Sequence, residues 1–110
     1  MAEFRSGWFK FSMSTEVEEL VADILSELVE RGGLPLAESV ARINELWVGM
    51  DFTSSTTMVM HETAFYWSTN ILDEEPIPDW WEGVDRSSWR RRPAPPIDSV
   101  FWTVVQTPPT

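Results

Sequence analysis

Residues 15–31 read TEVEELVADILSELVER, and this stretch decides the fold class. Its apolar residues recur at spacings of three and four, which places them on one face of an α-helix. They are Val17, Leu20, Val21, Ile24, Leu25, Leu28 and Val29. Thr15 followed by Glu18 has the pattern of a capping box, and Gly32-Gly33 supplies a left-handed stop. The stretch therefore predicts a helix over 15–31 whose apolar face is core.

A second helix is predicted over 36–48. Pro35 is expected in its first turn and Gly49 at its end. Glu38 and Arg42 lie four residues apart, which predicts an ion pair on an exposed face. The apolar positions again keep the helical spacing. They are Leu36, Val40, Ile43 and Trp47, with Ala37 and Leu46 widening the face.

The chain beyond the second helix shows weaker patterns. Helical spacing predicts a third helix over 55–72, carried by Met58, His61, Phe65 and Leu72. The β-branched residues in its first part favour instead a strand at Thr56–Met60, and this alternative stays open. Residues 97–106 (IDSVFWTVVQ) are the best strand candidate. Because a lone strand is unstable, we expect it to pair with Trp8–Ser12 or with another molecule.

These elements predict one mainly α domain, a small three-helix domain with an irregular C-terminal segment. Residues 1–13 are assigned as an N-terminal extension, 14–72 as the helical core, and 73–110 as an acidic-to-basic segment rich in Pro and Trp. We expect this last segment to wrap back over the core and to add one or two strands at most. Because Met13-Ser14-Thr15-Glu16 is typical of a natural start, residues 1–12 are interpreted as either vector-derived or an upstream extension.

Acidic residues are concentrated in one part of the chain. Sixteen of the 18 lie between Ser14 and Asp85, where two arginines leave a formal charge of −14. Residues 1–13 and 86–110 carry +1 and +3, and the whole chain carries −10. Such a field repels phosphate backbones and anionic membranes and attracts basic proteins. The predicted partner is therefore a basic protein, or a second copy in a homodimer, with neither nucleic acid nor membrane favoured.

The sequence offers little for catalysis or metal binding. It has no cysteine, which excludes disulfides, thiolate nucleophiles and Cys-ligated zinc. His61 is the only histidine, and no ligand spacing such as His-Glu-x-x-His accompanies it. Prolines interrupt the carboxylates of 73–85, which is unlike a calcium loop. We predict a non-enzyme without catalytic residues, cofactor or metal. An enzyme that uses His61 with the nearby carboxylates is a rival interpretation.

Tryptophan is the other unusual feature, with seven indoles in 110 residues. Indole is enriched at protein interfaces, and neighbouring arginines add cation–π contacts. The predicted partner-binding residues lie where both types meet. They are Trp80, Trp81, Glu82, Trp89, Arg90 and Arg91. We also expect the basic run 90–92 to pair with the chain's own acidic helices.

The sequence thus predicts a small, acidic, non-catalytic protein that binds a basic protein partner through an acidic, Trp-bearing surface, as immunity proteins, antitoxins, inhibitors and phage accessory components do. No signal-peptide pattern and no run of about 20 apolar residues is visible, so the predicted location is the cytoplasm. The alternative is a small DNA-binding regulator, resembling a helix-turn-helix in outline, that uses the first two helices and the patch 86–92. It is disfavoured because the second helix offers Glu38 and Glu45 against the single Arg42.

Overall fold

A computed structural model describes residues 4–54, 58–74 and 90–104. Within these residues the chain is mainly helical, with three α-helices and a small sheet of two parallel strands, which confirms the mainly α class. The helices are α1 (Thr15–Ser26, continued by a π-helical turn Glu27–Arg31), α2 (Leu36–Trp47) and α3 (Ala64–Leu72). The strands are β1 (Ser12–Met13) and β2 (Asp51–Phe52). Short 3₁₀ turns lie at Ser6–Trp8 and Met58–His61.

The start of α1 corrects the predicted capping box. Ser14, not Thr15, is the N-cap: its backbone is extended and its Oγ accepts a hydrogen bond of 3.2 Å from the Val17 N–H. Thr15 is already the first helical residue, so its side chain lies one position too late to cap. The helix itself is confirmed, and its end is close to the predicted one.

The end of α1 shows why two glycines follow it. The Gly32 N–H donates to the Glu27 carbonyl at 3.0 Å, which is the five-residue hydrogen bond of a π turn. A Cβ at Gly32 would lie 2.6 Å from the Leu28 carbonyl oxygen, so no larger residue fits there without a shift. Gly33 then adopts the left-handed conformation, with φ of 71°. The predicted stop at this dipeptide is confirmed.

Helix α2 is buried on more sides than its pattern predicted. It begins after Pro35, which is the N-cap and not part of the first turn. Arg42 and Glu38 do form the predicted ion pair, with Nη2 and Oε2 2.8 Å apart, but the Arg42 side chain is only 6% exposed. The exposed-face prediction is wrong because the C-terminal segment covers this side: Arg42 Nη1 donates to the Arg92 carbonyl at 2.9 Å.

The predicted third helix is too long at its start. Met58–His61 forms a 3₁₀ turn, and α3 begins only after Thr63, whose Oγ1 accepts from the Tyr66 N–H at 3.1 Å. The competing strand at Thr56–Met60 is also wrong over its last three residues, which lie in this turn. Its first two residues lie outside the described part of the chain. Thr63 is a favoured capping type, and it separates the two elements.

The small sheet uses different partners from those predicted. Strand β1 pairs with β2 in parallel, with Ser12 opposite Asp51 and Met13 opposite Phe52. Residues 97–104 form turns and no strand, so the predicted strand at 97–106 is wrong over its described part. Three prolines precede these residues, at 93, 95 and 96, and the Ser99 N–H closes a turn onto the Pro96 carbonyl at 2.9 Å.

The core lies between α1, α2 and α3. Ile24 and Leu28, at the middle of the apolar face of α1, are fully buried as predicted. Residues before α1 also contribute, because Phe9 is only 7% exposed and belongs to the same cluster. An aromatic group closes one end of this core through edge-to-face contacts with ring centroids 5.1–5.8 Å apart. Its members are Phe11, Trp47, Phe52 and Trp67.

Asn44 connects both terminal segments to α2. Its side chain is fully buried, and its Oδ1 accepts from the Lys10 N–H at 2.8 Å. Its Nδ2 donates to the carbonyls of Trp8 at 3.1 Å and Phe101 at 3.0 Å. The Thr103 hydroxyl also donates to the Trp8 carbonyl. One buried amide therefore joins Trp8, Lys10 and Phe101 to the helix, and Thr103 adds a direct hydrogen bond between the two terminal segments.

Candidate functional site

Five carboxylates form a line along the solvent side of α1 and its π turn. They recur at spacings of three and four, as the buried residues of the opposite face do. We call this line the acidic face, and it consists of Glu16, Glu19, Asp23, Glu27 and Glu30. Four of the five side chains are exposed and Glu27 is half-buried. With a rise of about 1.5 Å per residue, the acidic face is about 21 Å long.

The acidic face is almost without counter-charge. Of its five carboxylates, only Glu27 has an ion-pair partner among the residues that the structure describes: Arg31 Nε lies 3.3 Å from its Oε2. The rest of the Arg31 guanidinium is turned towards α3, where Nη2 donates to Ser68 Oγ at 2.6 Å and the group lies 4.5 Å from the Phe65 ring centroid. Arg31 is therefore held by α3 and neutralises one carboxylate at most.

A groove runs beside the acidic face, where the end of α1 meets the start of α3. Its volume is about 570 Å³. Asp23, Glu27, Glu30 and the cationic Arg31 line it from α1 and its π turn, and Ala64 lines it from α3. An extended cationic side chain placed in this groove would lie beside three carboxylates, of which Glu27 is already paired with Arg31.

The predicted partner-binding residues fall largely outside the described residues. This holds for Trp80, Trp81, Glu82 and Trp89. Arg90 and Arg91 are described, and both are exposed. The Arg90 guanidinium lies 3.9 Å from the Glu74 carboxylate, and Arg91 Nη1 donates to the Gly32 carbonyl at 3.4 Å.

The basic run 90–92 does not pair with the acidic face. Arg92 Nε donates to two carbonyls at the end of α3, that of Asn70 at 2.7 Å and that of Asp73 at 2.9 Å. The prediction of pairing with the chain's own acidic helices is therefore wrong for Arg91 and Arg92, whose described contacts are main-chain carbonyls. The last carbonyls of a helix lack intrahelical donors and carry partial negative charge, so they attract guanidinium groups.

Helix α2 buries Ser39, Arg42 and Asn44, which are the polar residues that a DNA-reading helix would present to bases. Ser39 Oγ donates to the Pro35 carbonyl at 3.0 Å, while Arg42 and Asn44 make the contacts described above. They hold the fold together from inside. Of the glutamates of α2, Glu45 is exposed and repels phosphates, while Glu38 is half-buried and paired with Arg42. The geometry of α2 thus gives no support to the DNA-binding alternative.

His61 is exposed at the end of its 3₁₀ turn. Within the described ranges, no three His, Asp or Glu side chains are grouped so that they could hold a metal ion. No helix there is long and apolar enough to cross a bilayer.

One carboxylate outside the acidic face, that of Asp51, has a lowered pKa. The side-chain hydroxyl and the N–H of Thr53 donate to Asp51 Oδ1, at 2.6 and 3.0 Å. These two hydrogen bonds stabilise the charged form and hold the pKa of Asp51 below its ordinary value of 3.8. The arrangement stabilises the turn after β2.

No protein-family model, curated protein or solved structure matches this chain. Its function is therefore inferred from the arrangement of its own residues. The sequence predicts an acidic, Trp-bearing binding surface, but the residues assigned to it lie in the tryptophan-rich segment and not on the acidic face. The signal was present, because residues 16, 19, 23, 27 and 30 keep a helical spacing of their own.

Proposed function

We propose that this protein is a small, non-catalytic, cytoplasmic binding protein whose acidic face contacts a basic segment of a partner protein. The observation that supports it best is the lack of counter-charge: four carboxylates of the acidic face have no cationic partner among the described residues. A line of like charges about 21 Å long raises the local potential and favours encounter with cationic surfaces. Immunity proteins, antitoxins, inhibitors and phage accessory components are the classes that fit.

The C-terminal segment has a separate role in the proposal. We expect it to wrap over the core, as the contacts of Arg92 and Phe101 with α2 and α3 support. Trp80, Trp81, Glu82 and Trp89 remain predicted contributors to the partner interface, together with the exposed Arg90 and Arg91. Their indoles would supply apolar contact area, and the acidic face would supply orientation and association rate.

Two variants of equal net charge test this proposal. The acidic-face variant combines Glu16→Gln, Glu19→Gln, Asp23→Asn and Glu30→Gln. The control variant removes four other carboxylates, through Glu45→Gln, Asp51→Asn, Glu62→Gln and Asp98→Asn. A labelled helical peptide with arginines every three to four residues is titrated with each protein, and binding is followed by fluorescence anisotropy.

The acidic-face variant should lose about 1–4 kcal/mol of binding free energy, since each exposed ion pair contributes about 0.2–1 kcal/mol. The control variant should lose clearly less, and added salt should weaken the wild type most. Equal losses in both variants would show that only net charge matters and would contradict a specific acidic face.

A further inference from the structure

A second cavity lies between α2, α3 and the C-terminal segment, and none of the acidic-face residues lines it. Its volume is about 360 Å³, at the lower end of the range of about 300–1,000 Å³ that is typical of small-molecule sites. Leu46 of α2 and Trp67 and Ile71 of α3 give it an apolar side. The cationic residues Arg42 and Arg92 also line it, in a chain whose net charge is −10.

The walls of this cleft are held in place by hydrogen bonds and by a ring contact. The Trp67 indole Nε1 donates to the Val59 carbonyl at 3.0 Å, and its ring meets that of Trp47 at a centroid distance of 5.1 Å. Arg42 is held by Glu38 and by the Arg92 carbonyl, as described above. A ligand would therefore enter a largely preformed site, which lowers the ordering cost of binding.

Only one of the two guanidinium groups has terminal nitrogens without partners. Arg42 donates through Nη1 to the Arg92 carbonyl and through Nε to Glu38 Oε2 at 2.9 Å, and its Nη2 lies 2.8 Å from the same carboxylate oxygen. Both side-chain hydrogen bonds of Arg92 use Nε, so its Nη1 and Nη2 have no hydrogen-bond partner within the described residues. Two terminal N–H groups of a guanidinium match the two oxygens of a carboxylate.

The remaining charge of the cleft selects the charge of the ligand. Glu45 also lines it and is exposed, with no ion-pair partner in the described part of the chain. Glu38 neutralises Arg42. The opposite charges of Arg92 and Glu45 then cancel, so the cleft carries no net positive charge. A dianion such as a phosphate monoester would be repelled by Glu45 more strongly than a monoanion would. The apolar side of the cleft favours a ligand with an apolar body.

We infer that this cleft binds a monocarboxylate with an apolar or aromatic body, with the carboxylate on Arg92 and the body against Trp67 and Ile71. The ligand is either a small free acid or the carboxyl terminus of a peptide that ends in an apolar residue. This binding does not require the acidic face, so it stands or fails separately from the proposed function.

The first test is an NMR titration of the full chain with 3-phenylpropionate, its uncharged amide and phenyl phosphate, read from backbone amides and tryptophan indole N–H signals. The carboxylate should bind saturably and shift the indole signal of Trp67, which is assigned through Trp67→Phe. The amide and phenyl phosphate should bind at least about 10-fold more weakly, the loss expected for a hydrogen bond to a charged group. Equal binding of acid and amide, or no saturable shift, would overturn the inference.

Two further substitutions move binding in opposite directions. Arg92→Gln should weaken 3-phenylpropionate binding about 10-fold or more, while Arg91→Gln, outside the cleft, should not. Glu45→Gln, at an exposed position that the fold does not depend on, should strengthen it about two- to fivefold, the effect of one exposed charge. The Glu45 result remains decisive if the Arg92 variant does not fold. Unchanged binding in Glu45→Gln would contradict the assignment of the carboxylate to this cleft.

The source of the carboxylate is distinguished by a third probe. The tripeptide Gly-Gly-Phe with a free carboxyl terminus is compared with its amide and with 3-phenylpropionate. Tighter binding of the free tripeptide than of the small acid would identify a peptide terminus. Tighter binding of the small acid would identify a free metabolite-sized ligand.

Discussion

Asn44→Leu tests the buried amide that joins the two terminal segments to α2. Leucine has a similar volume, so the change removes three hydrogen bonds and leaves little cavity. The Trp8 carbonyl keeps the Thr103 hydroxyl, so two groups lose their partner: the Lys10 N–H and the Phe101 carbonyl. A buried polar group left unpaired costs about 1–3 kcal/mol. Because both hydrogen bonds are only partly buried, we expect a loss of about 2–4 kcal/mol in the free energy of unfolding.

Urea denaturation followed by circular dichroism measures this loss, and Asn70→Leu is the matched control. The Asn70 side chain is half-buried on α3, and its Nδ2 donates to the Tyr66 carbonyl within the same helix. Loss of this hydrogen bond in Asn70→Leu should lower the free energy of unfolding by less than about 1 kcal/mol. Amide hydrogen exchange should accelerate near residues 10 and 101 in Asn44→Leu alone. Equal stability of the two variants would refute the account of Asn44 as the connection.

Leu28→Ala should lower the free energy of unfolding by about 2–5 kcal/mol in urea denaturation, because Leu28 is fully buried. Leu46→Ala, at a side chain 46% exposed, should lower it far less. Equal denaturation midpoints of the two variants would contradict the assignment of Leu28 to the core. Thr53→Val should raise the pKa of Asp51 towards 3.8 in a carboxyl ¹³C NMR titration, because one stabilising hydrogen bond is lost. The lowered pKa of Asp51 stabilises the folded state at pH values above the unfolded-state pKa, and this stabilisation is lost as the pH falls through the folded-state pKa. An unchanged pKa of Asp51 in Thr53→Val would contradict the assigned cause. Duplex DNA should show no mobility shift at physiological salt, and a shift abolished by Arg90→Glu would contradict the exclusion of nucleic acid.

The first two helices were predictable because their evidence is local. The apolar spacing of 17–29 and 36–47 requires a helix whatever the rest of the chain does. The stop at Gly32-Gly33 is equally local, since a left-handed residue after a helix favours glycine. The cap was misassigned by one residue because Ser14 and Thr15 are both favoured capping types, and only the backbone conformation separates them.

The remaining elements depend on contacts between distant residues. Strands β1 and β2 have two residues each, too few for any alternation to be visible in the sequence. The apolar run 97–104 resembles a strand, yet Ile97 and Val100 are 70% and 67% exposed because the segment forms turns after the prolines. No local pattern showed that Arg42 would be buried.

The two candidate sites also differ in this way: one is visible in the local sequence, and the other depends on contacts between distant residues. The spacing of the acidic face is visible in the sequence once α1 is assigned, although partner binding was predicted elsewhere. The cleft beside Trp67 was not predictable, because it depends on Arg92 reaching the end of α3, 22 residues from Asn70 in the chain. Such a contact is decided by the path of the C-terminal segment and not by residue type.

The most direct test of the central claim is a quantitative pull-down from the native host with the wild type, the acidic-face variant and the control variant of equal net charge. We predict that a basic protein is recovered with the wild type and the control variant and is lost with the acidic-face variant, and that the loss is accompanied by no change in thermal stability. Recovery of the same partner by the acidic-face variant would contradict the claim that the acidic face binds it.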